Sequence, residues 1–445
     1  MDERRLLELI EQKKYVEIKN ELSQMNEVDV AELLDPLDPH MTLLIFRMLP
    51  KDLAVEVFSY FSTDQQAGII NSITDKEVEY IMEELFFDDM IDLIEEMPAN
   101  IVKKILKSAK EEERKLINQF LKYPVDSAGS IMTIEYVDLK KGMTVGEALK
   151  HIKETGLSKE TIYTCYVTDK KRSLEGIISL RTLVVADEDE ILEDIMERDV
   201  IKVNTHDDQE STAGLFVKYG FLALPVVDKE NRLIGIITVD DIMDVIEQEA
   251  TEDFQLMAAM SPSEEAYLDT DILTLAKQRL PWLLILMISA TFTGRIMIKF
   301  ENVLASVVIL STFIPMLMDT GGNSGNQSST LIIRGLAVGE ITTHDWLKVL
   351  WKEIRISSIV GFALSAVNFI RLILIERVEL IIATTVSFTI LVTVITAKMV
   401  GGTLPLLAKK LKLDPAIMAG PLITTIVDAI SLLLYFFIAQ KLLGI

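Results

Sequence analysis

The chain has a single cysteine, Cys165, in 445 residues. One thiol excludes an intramolecular disulfide framework and any multi-cysteine metal site, so Cys165 reads as a small buried residue. Histidine is nearly as scarce. His40, His151, His206 and His344 are isolated, and no H-E-x-x-H pair exists, which argues against an intramembrane zinc protease. The segment MDERRLLELIEQKK has no apolar core after its charges, so it reads neither as a secretory leader nor as a first membrane span. Basic residues are outnumbered, 44 against 68 acidic ones. The deficit is local: residues 277–445 hold 15 basic and 9 acidic side chains, leaving the front of the chain near −30 and the back near +6. Such a front repels nucleic acid and favours cations.

The length calls for two or more domains. Residues 1–125 carry apolar side chains at helical spacing, broken about every 20 residues by LDPLDPH, FSTDQQAG and EMPAN. They predict an acidic all-α domain, with Thr63 and Thr74 as N-caps. Residues 126–248 alternate strand and helix patterns twice, and Gly176-Ile177-Ile178-Ser179 is echoed by Gly235-Ile236-Ile237-Thr238. A repeat at this spacing means tandem like units. A polar, carboxylate-dense helix is expected over about 240–275, making 249–276 the connector to the apolar back. Five hydrophobic segments follow, at about 280–298, 302–335, 354–375, 379–408 and 415–443, long enough to predict a five-helix transmembrane domain over 277–445. With the N-terminus inside and the C-terminus outside, ten basic residues fall in inner loops, Arg334 and Lys398 among them, and five in outer ones.

Two membrane segments carry the chemistry. Asp428 lies near the middle of DPAIMAGPLITTIVDAISLLLYFFIAQKL, where a carboxylate costs roughly 2.5–3.5 kcal/mol and is kept for water, a partner or a passing cation. Its plainer role would be capping a helix break or bonding Thr424 or Thr425, which are otherwise counted with the pore lining. The run PMLMDTGGNSGNQSSTLIIRG places Gly321, Gly322, Asn323, Gly325, Asn326 and Gln327 in the second span. Such residues are poor filling against lipid; they line a pore or let helices approach closely. Few charges and many neutral oxygens suit magnesium, which keeps its waters. Softer metals would call for Cys or His.

Each strand-helix repeat resembles a CBS domain. In that family a Thr and an Asp three apart can hold a nucleotide ribose; Thr238 and Asp241 match, while the first repeat has Ser179 and Thr182. ATP or another adenine nucleotide is the ligand this implies. The GGNSGNQSS and LDPAIMAGPLITTIVDAI stretches, the paired CBS modules and the acidic front together resemble the MgtE family of magnesium channels over essentially the whole chain. The resemblance implies a homodimer with a pore between five-span subunits in the cell membrane, Asp428 facing hydrated Mg2+, and a plug helix at about 247–275. In LFFDDMIDLIEEM, Asp88 and Asp92 share a helix face and repel by about 0.2–0.5 kcal/mol, which a bridging divalent ion would reverse. Candidate partners are Asp241, Asp244, Glu247, Glu252 and Asp253. By resemblance Glu56, Glu210 and Asp414 join this regulatory set. Gly220 stands where the family can carry an acid. The expectation is a magnesium-selective channel, not an enzyme, closed by cytoplasmic Mg2+. The competing readings are a proton- or sodium-coupled divalent cation transporter and a nucleotide-gated anion channel.

Overall fold

The computed structural model describes residues 1–263, 267–268 and 270–444. The chain divides into two compact units, Met1–Ile246 and Glu247–Ile445.

In the first unit the described residues form ten short helices, α1 (Glu3–Glu11) to α10 (Glu111–Phe120), followed by two small sheets. Their starts are written in the sequence. Asp38 accepts from the His40 and Met41 amides with Pro39 at the first helical position, and Thr74 forms a reciprocal capping box with Glu77 at the head of α7 (Asp75–Glu84). Thr63 is not a cap: Ser62 precedes α6 (Thr63–Ser72), and the Thr63 hydroxyl donates to Glu96 Oε2 at 2.6 Å.

The first sheet orders β1 (Val137–Lys140), β2 (Thr164–Thr168) and β3 (Leu174–Ser179), with β1 parallel and β3 antiparallel to β2. The second repeats this order with β4 (Val203–Asn204), β5 (Ala223–Val227) and β6 (Leu233–Thr238). Helices α11 (Val145–Thr155), α12 (Leu180–Val185) and α13 (Leu192–Ile195) belong to the first repeat. The second carries α14 (Gln209–Tyr219) and α15 (Val239–Met257). The first repeat packs its own core around Val137, Val145, Cys165 and Leu192. The second shares one with the helical front, where Leu224, Val226, Ile237 and Ile242 join Phe58, Ile91 and Phe120. Cys165 is fully buried, and burial pushes its thiol up to about 12. Gly220 ends α14 with φ +67°, its amide bonding the Phe216 carbonyl at 2.7 Å. A left-handed helix end favours glycine, which is the physical reason no acid stands there.

The second unit holds α16 (Ile272–Lys299), α17 (Glu301–Ser306), a 3-10 segment Val308–Phe313, α18 (Ile314–Ala337), α19 (Trp346–Leu374), α20 (Leu380–Lys410), a turn Pro415–Met418 and α21 (Gly420–Leu443). Among the described residues four stretches, Ile272–Lys299, Thr343–Leu374, Leu380–Lys410 and Pro415–Leu443, are long and apolar enough to cross a membrane. The expected second span becomes three elements, and its helix α18 is long enough at about 36 Å but too polar to qualify by composition.

The unbroken helix expected over about 240–275 is corrected: α15 ends at Met257, Ala259 takes φ +55°, and Pro262 follows. Gln255 holds the exit, its amide donating to the Ser263 carbonyl and its oxygen accepting from the Ser263 amide. Residues 264–266 and 269 of that connector lie outside the described residues.

Candidate cation sites

Acidic side chains converge within the first unit. Helix α8 (Phe87–Glu96) presents Asp88, Asp89 and Asp92; the start of α15 presents Asp240 and Asp241; Glu135 and Glu160 come from loops of the first repeat. Asp88 is 7% exposed. Burial, then the charges of Asp241, Asp89 and Glu160, push its carboxyl up to about 9. Glu160 is pushed up to about 8 by burial and by Asp241, Asp240 and Asp89. Asp92 and Asp89 keep an exposed edge, yet crowding and neighbouring carboxylates raise them to about 7 and about 6. Burial likewise raises Asp241, opposed by the Thr238 hydroxyl, which donates to its Oδ2 at 2.6 Å. Asp88 Oδ1 and Glu160 Oε2 are buried without a hydrogen-bond partner, a costly arrangement for carboxylates facing one another.

The pair Asp88 and Asp92 was legible from its spacing. Asp89, Asp240, Glu135 and Glu160 were not singled out; Asp89 and Asp240 each adjoin a flagged acid, whereas nothing in the sequence marks the two loop glutamates. Burial first, then Glu27, Asp89, Asp240 and Asp244, raises the Tyr60 hydroxyl, which sets Asp244 and the end of α5 (Lys51–Ser59) beside the cluster. Glu56 is exposed on α5, and Glu210 lies exposed in the first turn of α14. Among the described residues no three His, Cys, Asp or Glu side chains close into a ready-made cage. In the first repeat, the Ser179 hydroxyl accepts from the Thr182 amide at 3.0 Å and caps α12.

In the second unit Asp428 is half-buried on α21, its Oδ1 without a hydrogen-bond partner, and the carboxylate of Asp319 on α18 acts on it electrostatically. Thr424 and Thr425 do not bond Asp428. Their hydroxyls return to the Gly420 and Pro421 carbonyls one turn back. Asn326 Nδ2 donates to Thr424 Oγ1 at 3.2 Å, leaving Asn326 Oδ1 unpartnered. Asn323 is exposed and donates to Asp319 Oδ1 at 3.1 Å; Gln327 Oε1 accepts from Lys398 at 3.3 Å.

The glycines of this run serve packing. A Cβ on Gly321 would meet Ser431 Oγ at 2.8 Å, one on Gly322 the Thr424 methyl at 3.0 Å, and one on Gly325 the Ile423 side chain at 2.8 Å. Lys398 is no loop residue. It lies inside α20 and is 5% exposed. Asp414 caps the Pro415–Met418 turn, accepting from the Ala416 amide at 2.7 Å. Glu247, Glu252 and Asp253 belong to the α15 segment of this second unit. The end of that segment packs beside α21: Leu256 is buried with Ile333, Ala416 and Ala419, and a Cβ on Gly420, at φ +49°, would fall 2.3 Å from the Met257 carbonyl oxygen.

Comparison with known proteins matches residues 314–438 to the MgtE profile, described as a divalent cation transporter, 25–126 to the MgtE intracellular N domain, and 128–189 and 192–248 to CBS domains. The magnesium transporter MgtE of Thermus thermophilus is 36% identical over 436 residues, covering 96% of this chain and 95% of that protein. The chain belongs to the MgtE family. The Bacillus subtilis magnesium transporter MgtE is 34% identical over 92% of this chain and 93% of its own length. MgtE relatives are transporters, not enzymes, and this chain is a membrane protein of that family. A crystal structure of the soluble part of a magnesium transporter superposes with a TM-score of 0.52 at 31% identity, over 56% of this chain and 98% of that one. The cytosolic domain of the Mg2+ channel MgtE in complex with ATP gives 0.52 at 35%, over 55% and 100%.

Proposed function

We propose that this MgtE protein is a magnesium-selective channel of the cell membrane, a homodimer whose pore runs past Asp428, with its front domain cytoplasmic and its C-terminus outside. The observation that carries the reading is the unpartnered buried oxygen of Asp428, the one acid of a mainly apolar helix. A carboxylate kept at that depth needs a cation or water. Two acids, Asp428 and Asp319, beside neutral oxygens such as Asn326 Oδ1, suit an ion that retains its hydration shell. Counting α18 as the fifth span gives its exposed polar face, with Asp319, Asn323 and Gln327, to the pore rather than to lipid, while its glycine face packs on α20 and α21.

The regulatory reading rests on the acidic cluster. Asp88, Asp89, Asp92, Asp241 and Glu160 raise one another's proton affinity, so they repel when ionised. Divalent ions supply the counter-charge that lets α8 and α15 stay together, and the packing of Leu256 and Met257 near the head of α21 gives α15 a route to the pore helix. Cytoplasmic Mg2+ then favours the closed form by its differential affinity for it. Glu56, Glu210, Asp244, Glu247, Glu252, Asp253 and Asp414 belong to the same proposed set. Thr238 and Asp241 form the proposed adenine-nucleotide contact, supported by a relative's cytosolic domain in complex with ATP; loss of ATP binding in Thr238→Val checks it.

The deciding experiment is Mg2+ uptake into liposomes holding wild-type or Asp428→Ala protein, with internal Mg2+ set low and then high. Uptake that needs Asp428 and falls as internal Mg2+ rises is the expected result. Uptake indifferent to Asp428→Ala sinks the pore assignment.

A further inference from the structure

Two charges lie deep in the membrane unit away from Asp428. Lys398 is eighteen residues past the start of α20 and twelve before its end, and its ammonium is turned inward among the helices rather than toward an exposed surface, the residue being 5% exposed. Glu353, on α19, is 7% exposed. The Ser328 hydroxyl of α18 stands between them, donating to Glu353 Oε2 at 2.6 Å and accepting from Lys398 Nζ at 3.5 Å, while Lys398 also donates to Gln327 Oε1 at 3.3 Å. The arrangement is built into the helices. Gly402, one turn past Lys398 on the same face of α20, makes room for the Glu353 stem, whose Cγ lies 2.9 Å from where a Cβ would be.

These groups open on a cavity of about 880 Å³ whose polar lining includes Asn323, Asn326 and Gln327 and whose apolar wall includes Leu331, Ile356 and Val360. Asn326 and Gln327 thus connect the amide run to both the Asp428 helix and the buried charges. Amide oxygens, a serine and a carboxylate form a donor set for a small hard cation. Lys398 fills that set with a cation that cannot leave.

We propose that Lys398 is a specificity-determining residue: its tethered ammonium, bonded to Gln327 and one serine hydroxyl away from Glu353, occupies the amide site beside α18, so mobile monovalent cations are kept out and Asp428 is left as the anionic station of the pathway. The inference deepens the channel reading and rests on it. Leaving Glu353 uncompensated would attract a replacement cation from the cavity.

The test measures Na+ influx and Mg2+ uptake in liposomes for full-length wild type, Lys398→Arg, Lys398→Met and the Lys398→Met/Glu353→Gln double variant, with Asp428→Ala alongside. The expected result is Na+ influx at the level of protein-free vesicles for wild type and Lys398→Arg. Lys398→Met should raise it at least about tenfold, the factor that 1.4 kcal/mol represents, and the double variant should restore exclusion. Lys398→Met that carries Mg2+ and still excludes Na+ overturns the proposal. So does a leak that persists in the double variant, because that leak would come from loosened packing. Should Lys398→Met not be recovered folded, Glu353→Gln alone decides: an uncompensated ammonium should slow Mg2+ uptake about tenfold with Na+ still excluded, and unchanged uptake overturns the idea. Failure of the channel reading shows separately, as Mg2+ uptake untouched by Asp428→Ala.

Discussion

At the scale of single residues, Asp88 is where the acidic cluster is most exposed to test. Its folded carboxyl holds a proton up to about pH 9, against an ordinary value of 3.8, so the native state binds that proton more tightly than the unfolded chain. Stability is then greatest below about pH 4, falls as pH rises between the two values, and levels above about 9. One such group contributes a slope of at most about 1.4 kcal/mol per pH unit. Calorimetry of Met1–Ile246 in chelator should show Tm falling from about pH 5 to about pH 8. Asp88→Asn should flatten the slope and raise Tm at the alkaline end, and Mg2+ should do the same for wild type. A wild-type Tm that climbs with pH over this window in chelator would remove the like-charge account. Asp88 and Asp92 could be read from the sequence because i,i+4 acids on one amphipathic helix share a face. Glu135 and Glu160 could not, because they sit in loops whose approach to α8 depends on how the repeat docks, a property with no local periodicity.

Elements tell the same story from another side. The small-residue run in α18 admitted two readings, pore lining and close packing, and the structure divides it by face: Gly321, Gly322 and Gly325 pack, while Asn323, Asn326 and Gln327 border open space. Periodicity alone does not say which face of such a helix packs and which stays open. Hydropathy located four of the apolar helices and placed Lys398 wrongly, because a lone cation near the polar end of a window looks like a loop residue until its partners on α18 and α19 are known. The repeat was plain because β3 and β6 carry the same Gly-Ile-Ile-Ser/Thr run at the same place in each half. The α18 to α20 crossing makes a sharp prediction. A Cβ at Gly401 would lie 2.2 Å from the Gly325 carbonyl oxygen, so Gly401→Ala forces the two backbones apart at a cost of about 1–3 kcal/mol. In detergent its Tm should drop by several degrees and Mg2+ uptake should fall with it. Gly339→Ala, whose Cβ meets nothing within 4 Å despite φ +71°, should cost less. Equal losses at the two positions would refute the crossing as the tight point.

For the whole molecule the open physical question is what drives the ion. An inside-negative potential of 100 mV favours a divalent cation by about 4.6 kcal/mol, more than a thousandfold at equilibrium, so a channel needs no second gradient. A coupled transporter would need a group that exchanges a proton or sodium ion for magnesium, and Asp428 with Asp319 nearby is chemically able to do so. The readings separate when liposomes are clamped first at zero and then at inside-negative potential, with proton and sodium gradients imposed or abolished independently. The channel reading requires uptake to rise with potential alone and to ignore both gradients. Uptake that disappears without one of them would favour coupling and turn Asp428 into an exchange site. Gating enters the same measurement. If α8 and α15 are held together by bridging cations, Asp88→Asn with Asp92→Asn removes two of the carboxylates that call for them, so uptake should persist at internal Mg2+ levels that silence the wild type. Asp428→Ala should stay silent at every level, because a freed gate cannot replace a missing pore ligand.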